Sequence, residues 1–382
     1  MTFPSATTSL ARRRLLLAAG AAALAACAVR PPPATIVPAS ARLRLLAETT
    51  LPHRLQFEDT TVGGLSGLDF DPASGLWVAM SDDRSELQPA RFHTLRVNLA
   101  SQRLAVEPAS VVTLRQASGQ PYPPRHTRGE VVDPEAVRLL PGRGTLLWTS
   151  EGDLRVNQPP AVHESRLDGR YLRSFQVPPL LHFANRPGSG PRDNDAFEGL
   201  ALTPDARTAW VSMESALQQD GPRATVGAPG GPCRFTAFDV ASGRALRQIA
   251  YLPDAVPIAP KVPGTYADNG VAELLMRDER RLLVLERAYA LGTGNSVRLY
   301  EIDTNEGSDT LGLDRLAPGR FRAPVKRLVA DLGRLGLSRV DNIEGMCWGP
   351  RLPDGSRTLV VVSDDNFNAT QVTLFAAFAF LE

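Results

Sequence analysis

Cysteine and histidine are scarce in this chain of 382 residues, with three and five copies, and no spacing among them matches a zinc site. Lysine is rarer still. Lys261 and Lys326 are the two lysines among 42 basic residues, which leaves 40 arginines. Such an arginine bias suits phosphate recognition or, more simply, the codon usage of a GC-rich genome. Charge of one sign is lacking too: the net charge of +1 implies no polyelectrolyte partner. There is no P-loop, no GxGxxG after a strand and no basic-aromatic stripe, which excludes the common nucleotide and nucleic-acid modes. Long helical patterns are absent, and 32 prolines with 31 glycines suit many turns instead.

The N-terminus reads as targeting rather than fold. Arg12, Arg13 and Arg14 precede an apolar run from Leu15 to Ala26 that is too short to span a bilayer. The run ends in Leu24-Ala25-Ala26-Cys27, which resembles a bacterial lipobox with Cys27 as the lipidated residue. The paired arginines also resemble a twin-arginine export signal, with Ala11 where a polar residue is usual. Residues 28–40 are a proline-rich tether, and 41–382 form the folded domain. The expected location is therefore the periplasmic side of a bacterial envelope, lipid-anchored. Beyond Cys27, Cys233 and Cys347 remain, either as one disulfide or as two buried thiols.

A weak repeat organises the rest. A short apolar strand, a turn, a second strand and an acidic residue recur from Ser66 to Asp82, Glu135 to Glu151, Glu198 to Glu214, Glu273 to Glu286 and Glu344 to Asp364. The starts at 66, 135, 198, 273 and 344 are 69, 63, 75 and 71 residues apart. This period predicts an all-β propeller of five four-stranded blades; six would require splitting one repeat. The last repeat runs short of a strand, and Arg42–Ala47 is available to close the ring. A pair of β-sandwiches is the alternative fold.

The strings Gly63 to Pro72 (GGLSGLDFDP), Ser81-Asp82-Asp83-Arg84, Asp195 to Leu200 (DAFEGL) and Asp341 to Gly345 (DNIEG) resemble the phytase-like family described by esterase-like activity. That resemblance implies a secreted β-propeller hydrolase of phosphoesters or related esters.

Independently of it, the repeated acids point to a metal. A propeller gathers equivalent positions around one axis, and clustered carboxylates repel unless a cation or arginine offsets them. Asp82, Glu135, Glu198, Glu273, Glu344 and Asp364 are the expected ligands for Ca²⁺, which takes about 6–8 oxygens. Asp82, Asp83 and Arg84 are the expected catalytic group, and Arg84, Arg192 and Arg287 the expected substrate-binding cations. The competing reading makes the glutamates blade-to-blade hydrogen-bonding groups. Ser66 lacks the context of a nucleophile elbow, and His126 stands in an insert that could overhang the channel. The inserts 115–130, 183–195, 216–232 and 255–270 are the expected binding face. The expected partners are a small ester or phosphoester substrate and a membrane through the anchor, with the chain a monomer and no nucleic acid bound. The leading function is a metal-dependent hydrolase at the channel mouth. A non-catalytic ligand- or protein-binding lipoprotein and a calcium-dependent lactonase-like enzyme are the alternatives.

Overall fold

Each repeat folds as a four-stranded antiparallel sheet in the computed structural model, which describes residues 37–38, 42–100, 103–125, 127, 129–183 and 187–382. The signal segment 1–27 with Cys27, most of the 28–40 tether and His126 lie outside the described residues. Blade 1 comprises Leu65–Asp71, Leu76–Ser81, Arg91–Ala100 and Arg103–Thr113. Blade 2 comprises Pro134–Leu140, Thr145–Ser150, Ala161–Arg166 and Tyr171–Ser174. Blade 3 comprises Phe197–Leu202, Thr208–Met213, Cys233–Asp239 and Ala245–Tyr251. Blade 4 comprises Ala267–Met276, Arg281–Ala290, Gly294–Asp303 and Arg327–Asp331. Its outer edge also takes Val37–Pro38, in parallel with Arg327 and Leu328, so two residues of the expected tether pair with the domain.

Blade 5 is built from both ends of the domain. Asn342–Arg351, Arg357–Asp364 and Thr373–Leu381 come from the C-terminal side, and Arg42–Leu51 supplies the outer strand with Leu43 opposite Phe380. This closure covers an edge that would otherwise template pairing with other chains. There are five blades, and no repeat is split.

Five buried apolar clusters lie between successive blades. Phe92 and Trp148 lie in the cluster between blades 1 and 2, Phe197 and Phe238 in that between blades 2 and 3, and Phe235, stacked on Tyr251 of its own blade, in that between blades 3 and 4. Leu285 and Phe378 lie between blades 4 and 5, and Trp77 and Phe375 between blades 5 and 1. Each such side chain contributes about 1.5–3 kcal/mol on burial. Cys233 and Cys347 fall in different clusters, and both are free, buried thiols.

Every innermost strand carries a β-bulge at the same level. There one residue turns toward the axis, and the next lies against the neighbouring blade. At that second place blades 1, 3 and 5 carry glycine, because little space is left for a side chain there. A Cβ on Gly67 would stand 2.5 Å from the Glu135 carbonyl oxygen, and one on Gly199 would stand 2.7 Å from the Leu274 nitrogen. The Glu-Gly pair of the repeat thus has two separable causes, a carboxylate for the axis and a glycine for the interface.

Below the bulges one arginine closes the channel. Arg138, from the inner strand of blade 2, donates to the carbonyls of Leu68 in blade 1, Leu274 in blade 4 and Met346 in blade 5. It also pairs with Glu273 at 2.9 Å. Glu273 in turn accepts from the backbone N–H of Leu200 in blade 3. All five blades are tied together at this plug. A cavity of about 760 Å³ opens on one side of it, and a smaller one of about 290 Å³, lined by Arg138 itself, lies on the other.

Candidate functional site

The bulges and the strand ends after them build two stacked rings. The register places Ser66, Glu135, Glu198, Ala272 and Glu344 at equivalent bulge positions. It places Asp82, Glu151, Glu214, Arg287 and Asp364 on the second strand's side, one residue beyond the pair that closes each bulge. Blade 4 therefore departs from the sequence-based alignment. Glu273 and Glu286 each sit one residue away from the ring position. In a strand a one-residue slip moves a side chain to the opposite face. Glu273 points into the Arg138 plug and is absent from the cavity wall. Glu286 joins Tyr251, Asn269 and Lys326 on the far side of the strand. In their place blade 4 offers Ala272 and the guanidinium of Arg287.

The large cavity is lined by seven carboxylates, from Asp82, Glu135, Glu198, Asp268, Asp341, Glu344 and Asp364, against three guanidiniums, from Arg84, Arg287 and Arg339. All three cations are already engaged. Arg84 pairs with Asp133 at 2.7 Å, Arg287 with Glu344 at 3.1 Å and Glu214 at 3.3 Å, and Arg339 with Asp341 at 2.9 Å. The excess of negative charge is shared among buried groups. Burial, then the charges of Glu198, Asp133 and Glu151, pushes Glu135 well above the carboxylate range. Burial, then Glu151, Glu214 and Glu344, does the same to Glu198. Burial raises Asp133 to about 7 and, with the Asp133 charge, Glu151 to about 8. Asp82 is also raised well above the usual value, by burial and by the Asp364 and Glu344 charges.

Two carboxylate triads have the compactness a cation needs. One ligand oxygen from each of Asp133, Glu135 and Glu151 lies within 4.8 Å of the others, as does one from each of Glu151, Glu198 and Glu214. Glu151 belongs to both triads. One of its oxygens accepts from the Ala196 N–H, while the other, Oε2, is buried with no hydrogen-bond partner. Glu198 is 6 % exposed, and its carboxylate makes no hydrogen bond or ion pair among the described residues. Hard oxygen donors converging from separate strands suit Ca²⁺ by chemistry and charge.

The remaining expected residues divide cleanly. Asp82, Glu135, Glu198, Glu344, Asp364, Arg84 and Arg287 all line the cavity. Asp83 does not. It faces the opposite way from Asp82, pairs with buried Arg91 at 2.7 Å, and accepts from the N–H groups of Glu86, Leu87 and Gln88. Arg192 is likewise spent on structure, donating to the carbonyls of Ala216 and Gly221 in a neighbouring loop. The blade-to-blade reading holds for Glu273, which caps Leu200, and in part for Glu151, but not for Glu198. Ser66 Oγ donates to the Glu135 carbonyl at 3.0 Å, so it is an inter-blade link rather than a nucleophile.

The wall of the cavity owes much to the inserts. Asn194 comes from the insert before blade 3, and Tyr266 and Asp268 from the approach to blade 4. The long hairpin of blade 4 adds Tyr289 and residues 292–295. Asn194 and Asn366 hold left-handed backbone, at φ 56° and 45°, which asparagine tolerates better than most residues. Asp133 and Asp341, adjacent to the repeat motifs, were detectable as acids beside each strand start. Tyr266 and Tyr289 left no motif.

Known proteins share parts of this chain. An uncharacterized secreted protein of Arthroderma benhamiae is 33% identical over 73 residues, a stretch that takes in 18% of this chain and 14% of that relative. The periplasmic gluconolactonase PpgL of Pseudomonas aeruginosa is 16% identical, with a TM-score of 0.35 over 85% of this chain and 90% of that one. The Dos1 propeller is 8% identical, with a TM-score of 0.34 over 84% of this chain and 69% of that one. The family described as phytase-like, with esterase-like activity of phytase, matches residues 60–367. A match of that extent means that the chain belongs to the phytase-like family.

Proposed function

We propose that the protein is a cation-assisted hydrolase that cleaves an ester at the carboxylate-lined mouth of the propeller. The observation that carries this reading is the pair of triads sharing Glu151, whose Oε2 is buried and, like the Glu198 carboxylate, without a hydrogen-bond partner among the described residues. Buried carboxylates without partners are costly, and a cation relieves that cost. Two blades break the acidic pattern, with Ser66 in blade 1 and Ala272 in blade 4, so the fold itself does not demand an acid at each bulge.

Glu151, Glu198 and Glu214, with Asp133 and Glu135 beside them, would hold a hard divalent cation such as Ca²⁺. Such a cation polarises a carbonyl or phosphoryl oxygen and makes water a better nucleophile. In the overall reaction water adds across the ester bond: the acyl or phosphoryl centre gains OH, and the leaving oxygen gains the proton. The chain's own residues fix the geometry. Arg287 ties Glu214 to Glu344 across the ring, and Arg84 holds Asp133 and Asn194. The reading also places the domain at the periplasmic face of a bacterial envelope, tethered through Cys27.

Chelator-sensitive hydrolysis tests the proposal. The purified domain should turn over a chromogenic ester when Ca²⁺ is present and stop in chelator, and Glu198→Gln should lose that response. Turnover unaffected by chelator would refute the cation's part. Cation binding without any turnover would favour a ligand-binding propeller.

A further inference from the structure

We infer that the channel mouth recognises a neutral, polyhydroxylated group, a sugar or polyol carried by the ester, and not a phosphate. This deepens the hydrolase reading and rests on it for the bond that is cleaved, though recognition stands on the cavity alone. The first argument is electrostatic. A phosphate dianion needs uncompensated positive charge, and each guanidinium in the wall already faces a carboxylate: Arg84 with Asp133, Arg287 with Glu344 and Glu214, Arg339 with Asp341. Among the described residues no lysine or histidine lines the cavity. A phosphate dianion would meet carboxylate lone pairs there, whereas hydroxyl groups bring hydrogens to donate. Asp268 and Asp364, which line the cavity and stand outside both triads, are acceptors of this kind.

The second argument is the shape of the rim. Tyr266 is 53 % exposed although its ring is large and mostly apolar. Its hydroxyl donates to Asp268 at 2.5 Å, which holds the ring in place. Tyr289 stands beside it, with ring centroids 6.2 Å apart. A fixed, exposed aromatic face at a polar mouth presents a surface for the C–H face of a sugar ring, with the ring's hydroxyls left for polar partners. From blade 5, Asn366 and Gln371 add neutral amides that both donate and accept. At about 760 Å³ the cavity has the volume of a small-molecule site. Cleavage of an acylated sugar, or of a sugar lactone, then proceeds as above, with OH to the acyl carbon and the proton to the sugar oxygen.

Titration calorimetry on the Ca²⁺-loaded chain, with methyl glucopyranoside and inorganic phosphate as separate probes, decides the matter. The glycoside should bind, and phosphate should not compete with it. Tyr266→Ala should weaken glycoside binding at least about fivefold and leave the affinity for Ca²⁺ unchanged, while Tyr266→Phe should stay within about twofold. Phosphate binding in preference to the glycoside, or a Tyr266→Ala variant that binds the glycoside as tightly as the parent, overturns the inference. Glycoside binding with no turnover of an acetylated glycoside upholds it while refuting the hydrolase reading. Turnover of 4-nitrophenyl phosphate without glycoside binding does the reverse.

Discussion

Replacing Arg138 by leucine should open the plug that joins the blades. The guanidinium is buried, donates to the carbonyls of Leu68, Leu274 and Met346, and faces the fully buried carboxylate of Glu273. Leucine fills much of the same space but makes none of these bonds, and it leaves Glu273 as an unpaired buried charge. Removing one partner of such a pair costs about 3–5 kcal/mol. For a chain of this size that lowers the melting temperature by about 4–7 °C. The loss should depend on pH in a stated direction. Glu273 is already raised to about 7, chiefly by burial, with Arg138 opposing the rise. Without Arg138 it rises further, so the folded variant takes up a proton that the unfolded chain, at its ordinary value, has released. Stability of the variant relative to the parent must then stay level between about pH 5 and 7, where both folded forms hold the proton, and fall as pH rises above about 7. Glu273→Gln in the Arg138→Leu background keeps an acceptor for the Leu200 and Leu274 N–H groups and removes the charge. It should recover roughly half of the loss and abolish its pH dependence. Thermal melts of the parent, single and double variants at pH 5.5 and 8 give the answer. A single variant that melts within about 2 °C of the parent, or a deficit equal at both pH values, would refute the reasoning.

Gly67→Ala should cost about 1–3 kcal/mol or more, because its Cβ would meet the Glu135 carbonyl at 2.5 Å, whereas Gly227→Ala, with open space around it, should melt like the parent. Asp83→Asn should destabilise the domain by a few kcal/mol, about what losing one partner of a buried pair costs, because Arg91 loses its charge partner, and should leave Ca²⁺ affinity unchanged when measured by calorimetry. Cys27→Ser should move the protein from the membrane fraction to the soluble periplasmic one and remove the lipid mass from the mature N-terminus; an unchanged distribution contradicts lipid anchoring.

How much of this was legible depended on what each residue type can signal. The blades were legible because strand, turn and strand recur with a nearly constant period, and the closing strand because the last repeat lacked one while Arg42–Ala47 was spare. The rings were legible in four blades, where a glutamate or serine precedes a glycine or alanine at the bulge. They were misaligned in blade 4, where Glu273 and Glu286 imitate the pattern one residue out of register. A bulge hides such a slip, since it inserts a residue that no linear period records. Asp82 and Asp83 could not be separated in sequence, because they follow the strand that ends at Ser81 and which of the two faces the channel is a property of the ring. Arg138 was invisible for a similar reason. It is one cation in the apolar run from Ala136 to Leu140, and only the assembled axis makes it a hub. Glu151 and Glu214 carried the repeat plainly, but nothing in one sequence ranked them above Glu344 or Asp364 as ligands.

The central claim is that the carboxylate mouth holds a cation, and calcium titrated by calorimetry into the chelated protein tests it most directly. A saturable heat is predicted, accompanied by a rise in melting temperature through mass action. Glu151→Gln, at the residue both triads share, should abolish the heat and the rise, while Glu279→Gln, in the turn between the first two strands of blade 4, should change neither. No heat and no thermal shift in the parent protein would contradict the account and leave the acids as groups that organise the blades.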